Sequence, residues 1–144
     1  WTKDFVPDEL WSSIAAFKWA REDLPMLVAE IDHARWMRKL EAYLADNTNL
    51  LIAPTQNHHS CRFGRWYYGP TSQRYTKLES YIKIESVHAR VHQLGNQLIE
   101  LKIAGDHALL AICLEELHAT SADLTEHIQM IQAEVLLSTQ MTKR

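Results

Sequence analysis

From about Ser72 to Ser138 the apolar residues recur at alternating spacings of three and four. Ile84, Val87, Val91, Leu94, Leu98 and Leu101 form one series, and Leu110, Leu114, Leu117, Leu124, Ile128, Ile131 and Val135 form the next. This is the period of an α-helix with one apolar face, and it leaves no room for the strict alternation of a strand. Between the two series, Gly105 can stop one helix and Asp106 can cap the next, which predicts a tight turn joining helices over about 72–104 and 106–138. A helix of the second kind, at about 1.5 Å per residue, approaches 50 Å and needs a long partner beside it.

The preceding chain predicts two more helices. Residues 8–22 place Leu10, Ile14 and Phe17 on one side, and a second helix is expected over about 24–45. Asp23 is a candidate cap for it, and Pro25 is tolerable in its first turn, where a missing N–H costs nothing. Residues 46–60, with Asn, Asp, Thr and Pro54, read as a loop ending at Cys61, followed by the compact aromatic stretch CRFGRWYYGP. The expected fold is therefore all-α: an antiparallel four-helix bundle with a short helix or turn after the cysteine-containing loop. Residues 1–23 are expected to be a leading helix, part of a linker or added to the bundle, and residues 24–140 the helical domain proper.

At 144 residues the chain can bury one core, and no apolar run reaches the roughly 18 residues that a membrane helix needs. Only two cysteines occur, Cys61 and Cys113, and nothing resembles an export signal, so a reducing, cytoplasmic setting is expected. Charge is uneven, with seven Lys/Arg against three Glu over 61–105 and two against six acidic residues over 106–144. Bundle electrostatics explain that asymmetry without a nucleic-acid partner. The apolar seam from Leu110 to Val135 exceeds what one neighbouring helix covers, which predicts a symmetric homodimer.

His88 and His92 are four apart, so on a helix their rings point within about 40° of each other. They interrupt an apolar seam of Leu78, Tyr81, Gly95 and Ile99, where two imidazoles need a partner, and a metal ion can be that partner. Cys61 offers a thiolate, the natural borderline-soft ligand for zinc, and His33 shares a face with Trp36 and Leu40. His33, Cys61, His88 and His92 would close a tetrahedron. His58 and His59, just before Cys61, are alternative ligands, while His107, His118, His127 and Cys113 read as solvated or packed residues. Trp36, Phe63, Trp66, Tyr67 and Tyr68 read as a hydrophobic lid. Four protein ligands leave no open position for water, and no HExxH, phosphate loop or nucleophile elbow occurs, so the chain is not expected to be an enzyme. Glu85, one turn before His88, could act as a base only at a three-ligand site.

The elements HARW at 33–36, CRFGRWYYG at 61–69 and VHARVH at 87–92, in that order, resemble the chemoreceptor zinc-binding domain family. The resemblance implies a helical, commonly dimeric regulatory module with one zinc per protomer, held by His33, Cys61, His88 and His92. It also implies an attached or associated bacterial signalling domain, of chemoreceptor or diguanylate cyclase type, and a response to zinc availability or hypochlorous acid. A purely structural, zinc-stapled dimerisation module is the alternative.

Overall fold

The two helices expected from the periodic half of the sequence form a hairpin. The computed structural model describes residues 23–45 and 57–141. Its elements are α1 (Leu24–Leu27), α2 (Ala29–Ala45), α3 (Arg62–Tyr67), a 3-10 helix (Thr71–Tyr75), α4 (Glu79–Ala104) and α5 (His107–Met141). All regular structure among the described residues is helical. Gly105 closes α4 in the left-handed region at φ 74°, and the Asp106 carboxylate accepts from the Leu109 N–H at 3.0 Å, so the turn has the stop and cap that its sequence implies.

The α4–α5 pair is antiparallel. Ser80 bonds Glu134 at 3.0 Å at one end, Arg90 bonds Glu116 in the middle, and the Cys113 thiol faces the Leu94 carbonyl at 3.8 Å. Ile84, Val91, Leu94 and Leu98 of α4 meet Leu117, Leu124, Ile128 and Ile131 of α5 in the core, joined by Leu40 of α2. Each such side chain contributes about 1.5–3 kcal/mol on burial, which is what holds helices whose termini are otherwise only weakly capped. No helix among the described residues is long and apolar enough to cross a membrane.

The described residues contain three long helices, and α2 does not alternate in direction with α4. Its residues pair in descending order with α5, Met37 with Ser121 and Glu30 with Gln129, while Trp36 stacks on His92 and Tyr43 receives Lys102 from α4. α2 thus runs alongside α4 in the same sense and opposite to α5. The connection over 46–78 is long enough to return the chain across the length of α2, and it contains α3, so strict up-and-down order is not required. The leading helix expected over 8–22 lies outside the described residues, as does most of the loop over 46–60.

Two local expectations are corrected. α4 begins at Glu79 rather than near Ser72, because Thr71–Tyr75 form the separate 3-10 helix. The buried Ser72 hydroxyl donates to the Tyr67 carbonyl at 2.5 Å and lies 2.9 Å from the Tyr81 hydroxyl. Asp23 precedes α1 but makes no side-chain cap. Its fully buried carboxylate instead accepts from the Trp66 indole at 3.3 Å, from the Tyr75 hydroxyl at 2.8 Å and from Arg74. These donors, one of them charged, outcompete the backbone N–H groups of a four-residue helix carrying a proline in its first turn.

Asp23 therefore ties α1 to α3 and the 3-10 helix. Asp23→Ala is expected to destabilise the fold by about 2–4 kcal/mol, since it strands the buried Trp66 and Tyr75 donors. Removing Asp32, which is paired with the exposed Arg62, should cost far less. Urea unfolding of the two variants checks this, and equal small losses would contradict it.

Candidate metal centre

Cys61 is presented by a turn that its own hydrogen bonds hold in place. The Asn57 side chain accepts from the N–H groups of His59 at 2.7 Å and Ser60 at 3.2 Å, and its carbonyl accepts from Ser60 and Cys61. Cys61 then caps α3, its sulfur accepting from the Gly64 N–H at 3.2 Å. A six-residue helix is not stable alone, and α3 persists because Phe63, Trp66 and Tyr67 are buried. Tyr67 also stacks on Tyr81, with ring centroids 4.4 Å apart, and donates to its carbonyl at 2.8 Å. Gly64 is needed for close approach, since a Cβ there would lie 1.8 Å from the His58 carbonyl oxygen.

His88 and His92 face this turn from successive turns of α4. The Cys61 Sγ lies 3.4 Å from His88 Nε2, which in turn lies 3.2 Å from His92 Nε2. All three donor atoms fall within 4.8 Å of one another. Bonds of about 2.3 Å to sulfur and about 2.0–2.1 Å to nitrogen at a tetrahedral zinc would separate S from N by about 3.6 Å and N from N by about 3.3 Å. The two short edges found here match those lengths within about 0.2 Å. A single nitrogen of His88 faces both neighbours, and one N–H or one lone pair cannot serve both well.

His33 stands apart from this trio, although it shares its surroundings. Its Nε2 is buried with no hydrogen-bond partner, and its ring lies 5.6 Å from that of Trp36, which stacks at 5.9 Å on His92. An orphaned buried ring nitrogen is a donor atom in want of an acceptor or a metal. Beside it, Asp32 pairs with Arg62, joining α2 to the start of α3.

The electrostatics favour neutral imidazoles. Burial, with repulsion from His92, lowers the basicity of His33 to a pKa of about 4; burial, with repulsion from His92, His58 and His33, lowers that of His88 to about 3. Both rings are thus held in the form that can bind a metal well below neutral pH. Burial pushes the Cys61 thiol up, and the N–H groups of Gly64 and Phe63 offset part of that shift.

The aromatic lid is present around the trio: Phe63 meets His88 edge-on at 5.1 Å, and Trp36 covers His92. Trp66 instead faces Asp23, a role that the sequence signals only through the presence of a buriable aromatic with a polar N–H. Glu85 is exposed and accepts from the Tyr68 hydroxyl at 3.1 Å. His107 is exposed, His118 pairs with Glu41 and His127 with Asp123, and Cys113 is buried. His58 is closer to the trio than its loop position suggests, its ring 6.0 Å from that of His88.

No curated protein and no solved structure is found to match this chain. A family model does match, described as the chemoreceptor zinc-binding domain, and it covers residues 33–99, from His33 through the Cys61 turn and His92. Residues 33–99, which carry the Cys61, His88 and His92 cluster, belong to the chemoreceptor zinc-binding domain family.

Proposed function

We propose that this chain is a sensory zinc-binding domain of a bacterial signalling protein, of chemoreceptor or diguanylate cyclase type. One zinc per protomer is held by His33, Cys61, His88 and His92, and the response is to zinc availability or to oxidants such as hypochlorous acid. The observation that carries this reading is the convergence of the Cys61, His88 and His92 donor atoms within 4.8 Å, with the two edges at His88 Nε2 near tetrahedral length. The orphaned Nε2 of His33 supports its place as the fourth ligand. Bound zinc supplies a positive charge that holds the Cys61 sulfur as thiolate. Domains of this family are non-catalytic sensory modules, and a site closed by four side chains binds rather than turns over.

Three ligands sit on long helices and the fourth caps a short one, so loss of the sulfur would loosen α3 without unfolding the α4–α5 hairpin. Purified protein is expected to carry about one zinc per chain, and metal analysis giving less than roughly 0.2 would contradict the reading. Chelation should change helix packing or assembly. A structural staple in a 144-residue core would instead leave the hairpin and its output geometry indifferent to the metal.

Affinity should rise with pH. The Cys61 thiol, with its pKa raised by burial, gives up a proton on binding, whereas His33 and His88 already lack theirs above about pH 4. Binding is therefore expected to strengthen by about tenfold per pH unit, or about 100-fold from pH 5.5 to 7.5, through the thiol alone. Cys61→Ala should remove that contribution. Isothermal titration across this range checks it, and an unchanged slope in the variant would remove Cys61 from the ligand set.

Assembly is proposed to be a homodimer formed by helix faces rather than by shared zinc. Ile103, Leu109 and Ile112, close in sequence to the α4–α5 turn, are 76 %, 52 % and 63 % exposed, and Ile82 is also uncovered. Sedimentation at roughly 50 μM is expected to give a dimer, and a monomer there would refute the proposal.

A further inference from the structure

Beside the cluster lies one more imidazole than the proposed four-ligand site uses. The His58 ring centroid lies 6.0 Å from that of His88 and 6.5 Å from that of His92, while His88 and His92 are themselves 4.9 Å apart. Two imidazoles bound through Nε2 to one tetrahedral zinc place their centroids about 5 Å apart, given Zn–N lengths of about 2.0–2.1 Å. The His58 ring thus lies about 1–1.5 Å farther from His88 and His92 than a ring sharing their ion would, and a shift of its turn closes that distance. Its neighbour His59 is differently placed, stacked on Tyr68 at 4.1 Å.

His58 and Cys61 are presented by the same turn. The Cys61 sulfur lies 3.7 Å from the His58 carbonyl oxygen, and the Cys61 N–H is bonded to Asn57 at the start of that turn. The His58 backbone is pressed against Gly64 of α3, so the turn and α3 move together. One turn therefore offers the cluster either a sulfur or an imidazole.

We infer that His58 is a reserve metal ligand, which takes the place of the Cys61 sulfur when that sulfur is unavailable to the metal. The inference rests on the proposed zinc site and adds a second state to it. In that state the ion is held by imidazoles alone. It is bound more weakly, because a neutral ring replaces an anionic, softer thiolate, yet it is not released. The turn must shift to bring His58 inward, so α3 is displaced while the metal stays.

Cobalt(II) titration of the full chain tests this with an optical readout. The wild type should show sulfur-to-cobalt charge transfer in the near ultraviolet together with the strong visible bands of four-coordinate cobalt. Cys61→Ala should lose the charge-transfer band and bind more weakly, yet keep four-coordinate visible intensity. Adding His58→Ala to that variant should weaken binding by a further tenfold or more and collapse the visible intensity. The same change in the wild type should alter affinity by less than about twofold, and His59→Ala in the Cys61→Ala background should have no effect. His58→Gln, closer in size, should reproduce His58→Ala, and circular dichroism of each variant verifies that the helices persist. A Cys61→Ala chain whose cobalt affinity and spectrum are unchanged by His58→Ala would overturn the inference and leave the four-ligand site standing. A wild type without the charge-transfer band would overturn the underlying site.

Discussion

Replacing His88 or His92 by alanine is expected to lower zinc affinity more than about 100-fold, whereas His118→Ala and His127→Ala should change it less than about twofold. The contrast follows from geometry rather than residue type. His88 Nε2 lies between the Cys61 sulfur and the His92 nitrogen, so its loss removes the atom shared by both short edges of the cluster. His118 and His127 lie on α5, each facing a carboxylate, of Glu41 and Asp123 respectively. They have partners that a metal would have to displace. Competition titration against a chromophoric chelator measures all four variants, and comparable losses in both pairs would place the site elsewhere.

Gly64→Ala is expected to be the most damaging change outside the donor atoms. Helix propensity alone favours alanine over glycine by about 1 kcal/mol, so propensity and packing predict opposite signs. Packing decides the sign. The added methyl would lie 1.8 Å from the His58 carbonyl oxygen, 2.8 Å from its carbon and 3.1 Å from the His59 carbonyl carbon, all backbone atoms that cannot rotate aside. Either the turn leaves α3, taking the Cys61 sulfur with it, or the helix distorts. A loss of about 2–4 kcal/mol in stability and at least about tenfold in zinc affinity is expected. Gly105→Ala is the control: its φ of 74° disfavours a side chain, and nothing lies within 4 Å of a Cβ there. It should cost about 1 kcal/mol and leave zinc affinity unchanged. Thermal melts and zinc titrations of both variants separate strain at the site from strain elsewhere. A stabilised Gly64→Ala chain would show that the turn yields freely.

Much of this was legible in the sequence because it is local. The spacing of apolar residues determines which face of α4 and of α5 is buried, and Ile84, Val91, Leu94 and Leu98 are buried against Leu117, Leu124, Ile128 and Ile131 as their period implies. Gly105 and Asp106 determine where one helix stops and the next is capped, because the left-handed φ and the side-chain acceptor belong to those residues themselves. The four-residue spacing of His88 and His92 determines that their rings share a face. The tertiary structure decided what periodicity does not encode. A helical stripe specifies its apolar face but not the direction of its neighbour, so the alignment of α2 with α4 is settled by the packing of Trp36 on His92 and Tyr43 beside Lys102. Asp23 has the local chemistry of a cap, yet Trp66, Arg74 and Tyr75, more than 40 residues along the chain, outbid the backbone for its carboxylate. The meeting of Cys61 with His88 across 27 residues, and the approach of His58 to the same cluster, depend on α3 being pressed onto α4 by buried aromatic rings. Those contacts are long-range, and only the folded chain brings their donor atoms to one point.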